Sequence, residues 1–128
     1  MNDIDAISGA LLDASIGLHR ELGPGMLESA YEIVLAAKLT QLGYFVERQK
    51  PIDIVYQDLR IEAAFRIDLL VNECVLVEIK SVERLAPVHT KQLLTYLRLT
   101  SRPLGLLINF GGPTLIEGFK RLANEYRP

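Results

Sequence analysis

RIDLLVNECVLVEIK, residues 66–80, is the stretch on which the fold turns. Val75, Val77 and Ile79 alternate with Leu76, Glu78 and Lys80, so a strand here puts an apolar row on one face and Glu78 with Lys80 on the other. Asn72-Glu73 marks a turn, and before it Ile67, Leu69 and Val71 alternate with Arg66 and Asp68. Two antiparallel strands follow. A two-residue turn would set Asp68 opposite Val77 and aim its carboxylate at the wrong side. A three-residue loop or a bulge instead pairs Asp68 with Glu78, Ile67 with Ile79 and Leu69 with Val77. The apolar pattern favours this second register.

Downstream, Pro87 suits the first turn of a helix over 87–100, and 104–110 reads as a buried strand ended by Gly111-Gly112-Pro113. Residues 114–124 are expected to form a short helix. Upstream, Gln57-Asp58 is a turn into a long strand over 59–71, and 44–49 and 52–56 read as two short strands around Pro51. Before these, Ile4, Ile7, Leu11, Ala14 and Leu18 recur at helical spacing over 3–22, and Gly23-Pro24-Gly25 stops that helix. A second helix over 27–42 carries Leu27, Tyr31, Val34, Leu35, Leu39 and Leu42 on one face and ends at Gly43. The order is therefore α-α-β-β-β-β-α-β-α. It predicts an α/β fold with a central mixed sheet flanked by helices, one domain over residues 1–128.

Composition narrows the function. With 49% hydrophobic and 23% charged residues, the 128-residue chain can bury a core, which excludes an intrinsically disordered protein. No apolar run approaches the ~20 residues of a membrane span, so no membrane role is expected. The acidic opening MNDIDAISGALLD lacks a basic leader, which points to the cytoplasm. Cys74 is the sole cysteine, a strand or turn residue that can form neither an intramolecular disulfide nor a cysteine zinc cluster. The net charge of −2 hides an asymmetry, because residues 1–73 hold 12 acidic and 6 basic side chains and the remainder 4 and 8. Lys80, Arg84, Lys91, Arg98, Arg102, Lys120 and Arg121 could build a basic face for nucleic acid or equally a mixed, solvated surface.

Two carboxylates side by side with one ammonium are hard to justify as pure structure, since adjacent anions repel and one Lys compensates only half of them. A divalent cation resolves the conflict. Hard oxygen donors without clustered His or Cys select Mg²⁺ or Mn²⁺ over zinc. On the helices, Gln92 and Tyr96 lie one above the other, and Glu28, Tyr31 and Glu32 share a face from which either acid could reach the ion. His19 and His89 read as packing or surface residues rather than ligands.

The ordered set Asp68, Glu78-Ile79-Lys80 and Gln92-Leu-Leu-Thr-Tyr96 resembles the D…ExK…QxxxY series of the PD-(D/E)XK nuclease superfamily, especially its RecB-like branch. Gly25-Met-Leu-Glu28-Ser-Ala-Tyr31 is similar to the signature of the small bacterial GxxExxY proteins. The likeness implies a restriction-endonuclease-like core and a Mg²⁺- or Mn²⁺-dependent nuclease. Its substrate would be nucleic acid, DNA rather than RNA. It implies Glu28, Asp68, Glu78 and the Ile79 carbonyl as metal ligands and Lys80 as the catalytic lysine. Gln92 and Tyr96 would orient the site or the phosphate, with Tyr31 and Arg66 as weaker positioning candidates. Some members of the superfamily are no longer enzymes, so the alternative is a catalytically silent module that binds nucleic acid or a protein partner. A homodimer could supply the surface that so short a chain lacks.

Overall fold

The computed structural model describes residues 3–124. In chain order it contains α1 (Ile4–Leu22), α2 (Glu28–Gln41), β1 (Val46–Tyr56), β2 (Leu59–Val71), β3 (Val75–Lys80), α3 (Pro87–Thr100) and β4 (Leu104–Asn109). A 3-10 turn, Ile116–Gly118, then leads into β5 (Phe119–Ala123). The strands form one sheet in the order β1-β2-β3-β4-β5, with β3 and β4 parallel and the other neighbours antiparallel. This is the mixed sheet between helices that the alternation of strand and helix patterns predicts. No helix among the described residues is long and apolar enough to cross a membrane.

Both faces of the sheet are covered, which is why β3 and β4 are almost continuously apolar. On one face α1 contributes Ile7, Leu11, Ala14 and Leu18, and α2 contributes Tyr31, Leu35 and Leu39, against Leu69, Val71, Val75, Val77, Ile79, Leu106 and Ile108. Asp3 caps α1 by accepting the Ala6 N–H at 3.1 Å. On the other face α3 sets Leu93 and Leu97 against Ile67, Leu70, Leu76 and Leu107. The β2–β3 connection is the three-residue loop Asn72-Glu73-Cys74, with the ladder Leu69↔Val77, Leu70↔Leu76, Val71↔Val75. Of the expected pairs only Leu69 with Val77 forms, since the ladder ends before Asp68 with Glu78 and Ile67 lies on the opposite face from Ile79.

Three expectations need correction. The two short strands around Pro51 are one strand, β1, because β1 lies at the sheet's edge, where a residue without an N–H is tolerated. The segment 114–124 is not a helix but the 3-10 turn and β5. Its pairing with β4 satisfies backbone groups that would otherwise form an open edge. Finally, Ile67 does not share a layer with Leu69 and Val71 but faces α3. The two-residue alternation of β2 is interrupted at Asp68.

The loops that follow β3 and β4 are braced against each other. Asn109 Oδ1 accepts the N–H groups of Val82 and Gly111, each at 3.0 Å, and its Nδ2 donates to the Val82 carbonyl at 2.9 Å. A Cβ on Gly111 would run into the backbone of Ser81 and Val82, whereas one on Gly9, in α1, would meet nothing within 4 Å. Gly111→Ala should therefore destabilise the fold by about 1–3 kcal/mol, since backbone has to move. Gly9→Ala should stabilise it by up to about 1 kcal/mol through helix propensity. Urea denaturation of the two variants checks the opposite signs.

Candidate active site

The site lies where β2 and β3 part. Beyond the pair Leu69↔Val77 their ladder stops, and side chains take over. Asp68 Oδ2 accepts the Ile79 N–H at 2.8 Å, and Glu78 Oε1 accepts the Asp68 N–H at 3.4 Å. Each acid is thus held against the other's strand. The Lys80 carbonyl accepts the Phe110 N–H after β4, so by strand alternation the Ile79 amide and carbonyl face β2 and the gap beside Asp68.

The motif from Gly25 to Tyr31 delivers Glu28 to this gap. Tyr31 is fully buried, stacked on Phe110 with ring centroids 4.3 Å apart. Its hydroxyl donates to the Gly23 carbonyl and accepts the Met26 N–H at 3.2 Å, which fixes the loop before α2. Ser81, one residue past β3, donates its hydroxyl to the Met26 carbonyl at 2.8 Å and its N–H to Glu28 Oε2 at 3.2 Å. The start of α2 is thereby stapled to the end of β3. Tyr31 is a loop anchor, without the surface that contact with a substrate would require. Glu28, Glu32, Asp68 and Ser81 line a shared cavity of about 510 Å³.

Sequence reasoning missed the residues that organise Glu32. That carboxylate, 5% exposed, accepts Arg48 Nε and Nη2 at 3.1 Å each on one oxygen and Gln49 Nε2 at 2.6 Å on the other. Gln49 also donates to Asp68 Oδ1 at 3.2 Å. Nothing in the one-dimensional pattern marks an Arg and a Gln on an edge strand as partners of a helical acid.

From the opposite face, α3 contributes Gln92 and Tyr96, joined by a 2.8 Å hydrogen bond from Gln92 Nε2 to the Tyr96 hydroxyl. Tyr96 stacks on Phe65 of β2, with centroids 4.0 Å apart. Arg66 is exposed, and its Nη1 reaches the Gln49 carbonyl at 3.5 Å. Lys80, half-buried, makes no close ion pair among the described residues. The histidines stand apart. His19 meets the Gly112 carbonyl at 3.0 Å, and His89 Nδ1 accepts the Ala86 N–H at the start of α3. Cys74 sits in the β2–β3 turn, its Sγ directed at the Val71 carbonyl. Some of the cations that could build a basic face have other partners. Arg121 pairs with Asp5 at 2.6 Å, and Arg102 donates to the Glu73 carbonyl. Arg84 and Lys120 share a separate cavity of about 810 Å³ with Glu83 and Glu117.

The electrostatics are those of crowded anions. Glu78 is only 7% exposed, and burial, then the adjacent Asp68 charge, push its carboxyl up to about 8 despite the Asp68 N–H and Lys80. Burial also raises Asp68, reinforced by Glu32 and opposed by the Ile79 amide, Gln49 and Lys80. Tyr96 is raised by burial and then by the charge of Glu78. Among the described residues no three His, Cys, Asp or Glu side chains stand close enough to hold an ion as they are. The donor set nevertheless fits a hard divalent cation: two carboxylates whose mutual repulsion is only partly relieved, a backbone carbonyl on the same side of β3, and Glu28 lining one cavity with Asp68. Glu28 Oε2 accepts the Ser81 amide, which leaves its other oxygen available.

Comparisons with known proteins agree with this fold. The family model described as PD-(D/E)XK nuclease superfamily matches residues 5–122. No curated protein matches the chain. Among solved structures, the crystal structure of SSO0001 is similar in fold, with a TM-score of 0.53 at 18% identity over 94% of this chain and 67% of that one.

In metal-free protein the raised Glu78 carboxyl opposes folding at alkaline pH. The folded state keeps a proton between the ordinary value near 4.5 and about 8 that the unfolded chain gives up, so stability falls as pH rises through that window. Glu78→Gln removes the penalty. The variant should exceed the wild type by a few kcal/mol at pH 8 to 9, and the gap should close towards pH 5, as thermal unfolding in EDTA across pH will show.

Proposed function

The chain belongs to the PD-(D/E)XK nuclease superfamily, and from that premise we propose that it is a divalent-metal-dependent nuclease that hydrolyses phosphodiester bonds of DNA with Mg²⁺ or Mn²⁺. The observation that carries the reading is the pair of half-buried Asp68 and buried Glu78, cross-held at the parting of β2 and β3 next to Lys80. The finer likeness, to the GxxExxY proteins of the RecB-like branch, is supported by what Gly25, Glu28 and Tyr31 do. Tyr31 anchors the loop containing Gly25, and that loop starts the helix at Glu28.

In this reading Asp68, Glu78 and the Ile79 carbonyl hold the ion, and Glu28 completes the set. When bound, a divalent cation supplies a Lewis acid for the phosphoryl oxygen and a more acidic water. Lys80 leaves β3 on the same side as Glu78, where its ammonium positions the attacking water and offsets the charge that grows on the phosphate. The water oxygen forms the new P–O bond as the bond to the leaving sugar oxygen breaks. Gln92 and Tyr96, already hydrogen-bonded to one another, orient the scissile phosphate from the α3 side, and exposed Arg66 meets the backbone beyond it.

A second reading, a silent module that binds nucleic acid or a protein partner, is favoured by one feature. Among the described residues no three acidic side chains stand close enough together to hold an ion as they are. The two readings diverge in the test tube. Incubation with Mg²⁺ or Mn²⁺ should cut DNA, and EDTA should stop cleavage. Lys80→Ala and Glu78→Gln should each lower the rate by about 10²-fold or more with the fold intact by circular dichroism. DNA binding that needs no divalent ion, weakens with salt and survives Glu78→Gln, without cleavage, would establish the silent module instead.

A further inference from the structure

Gln49 departs from its strand. The β1–β2 register includes Arg48↔Leu69 and Lys50↔Ile67 but skips the pair between them, Gln49 with Asp68. At that position Gln49 has φ 51°, in the left-handed region that a residue with a Cβ rarely occupies. Its side-chain amide lies between two carboxylates, 2.6 Å from Glu32 Oε1 and 3.2 Å from Asp68 Oδ1. The two hydrogens on Nε2 match those two acceptors. Glu32 is in turn immobilised through its other oxygen by Arg48.

From this chain of contacts we infer that Gln49 is a positioning residue: anchored by the Arg48–Glu32 pair, it sets the orientation of Asp68 and thereby the affinity of the site for its metal. The inference rests on the reading of Asp68 as a metal ligand. Asp68 receives one hydrogen bond on each oxygen, from Gln49 on Oδ1 and from the Ile79 amide on Oδ2. Two fixed donors determine the plane of the carboxylate and so the direction of its remaining lone pairs. Without Gln49 the group keeps only the Ile79 contact and can rotate about it. Glu32 serves here as the anchor, since Arg48 already neutralises it. The donor is an uncharged amide, which orients Asp68 without competing with a cation for it. Outer-sphere partners of this kind tune metal affinity by about 10- to 100-fold.

The test is calorimetric titration of Mn²⁺ into wild type, Asp68→Asn, Gln49→Asn and Gln49→Met, with the Ile79 amide resonance followed by NMR in metal-free protein. Asn tolerates the left-handed backbone but is one methylene too short to bridge both acids. Met keeps the length and lacks the donor. Expected are Mn²⁺ binding by wild type, its loss in Asp68→Asn, and about 10- to 100-fold weaker binding in both Gln49 variants with melting temperatures little changed. The Ile79 resonance should shift in both as Asp68 turns. If both variants bind within twofold of wild type with that resonance unmoved, while Asp68→Asn does not bind, Gln49 does not position the ligand and the nuclease reading stands. If both Gln49 variants fail to fold, Gln49 is a strut of the sheet and the inference is wrong. Wild type that binds no Mn²⁺, or binding unaffected by Asp68→Asn, removes the metal reading and this inference with it.

Discussion

The site depends on the end of one hydrogen-bond ladder. A strand pair that continued past Leu69↔Val77 would keep backbone against backbone and leave no room between β2 and β3. Here the carboxylate of Asp68 takes up the Ile79 amide and that of Glu78 approaches the Asp68 amide. Because β2 and β3 separate at this point, groups from both sides of the sheet reach the same place: Glu28 and Glu32 from α2, and Tyr96, whose hydroxyl responds to the charges of Glu78 and Asp68, from α3. A continuous sheet would have kept the two helical layers apart.

The surroundings hold that opening with few residues. Tyr31 is buried under Phe110 and spends its hydroxyl on Gly23 and Met26, Ser81 ties Met26 and Glu28 to the end of β3, and Asn109 braces Val82 and Gly111. The hydrogen bonds among these contacts join side chains to backbone and concern the α1–α2 loop and the loops at the carboxyl ends of the parallel strands β3 and β4. Such loops have no ladder of their own. Each bond therefore contributes rigidity that regular structure would otherwise provide, and Glu28 inherits its place from them.

Much of this was legible in the sequence, for identifiable reasons. The register of β2 against β3 could be read because slipping it by one residue would turn Leu69 and Val71 outward, a large burial penalty that a pattern of alternating side chains exposes. The pairing of Gln92 with Tyr96 followed from helical spacing alone. The layer of Ile67 was not readable, because the alternation of β2 is interrupted at Asp68 beside Gln49, whose positive φ is not favoured by its residue type. The strand character of 119–123 was hidden for a different reason. It comes from the need to cover the edge of β4, a tertiary demand that local propensity does not record. Charge was the least legible quantity. A count of cations in the second half of the chain left a basic face and a mixed surface equally open, and a count does not show that Arg121 and Arg102 are taken by Asp5 and the Glu73 carbonyl.

The distribution of charge around the opening favours a cation. Four carboxylates, Glu28, Glu32, Asp68 and Glu78, gather from two helical turns and two strands. Of these, Arg48 forms an ion pair with Glu32. Lys80 offsets part of the charge at Asp68 and Glu78 without closing on either, and burial with the remaining excess of negative charge holds the Glu78 carboxyl well above the ordinary carboxylate range. A lysine or arginine in place of Gln49 would sit between Glu32 and Asp68 and cancel that excess permanently. The neutral amide leaves it in place while still supplying the hydrogen bonds that burial demands. A site whose protein partners orient its acids without neutralising them keeps its negative charge available to whichever cation arrives.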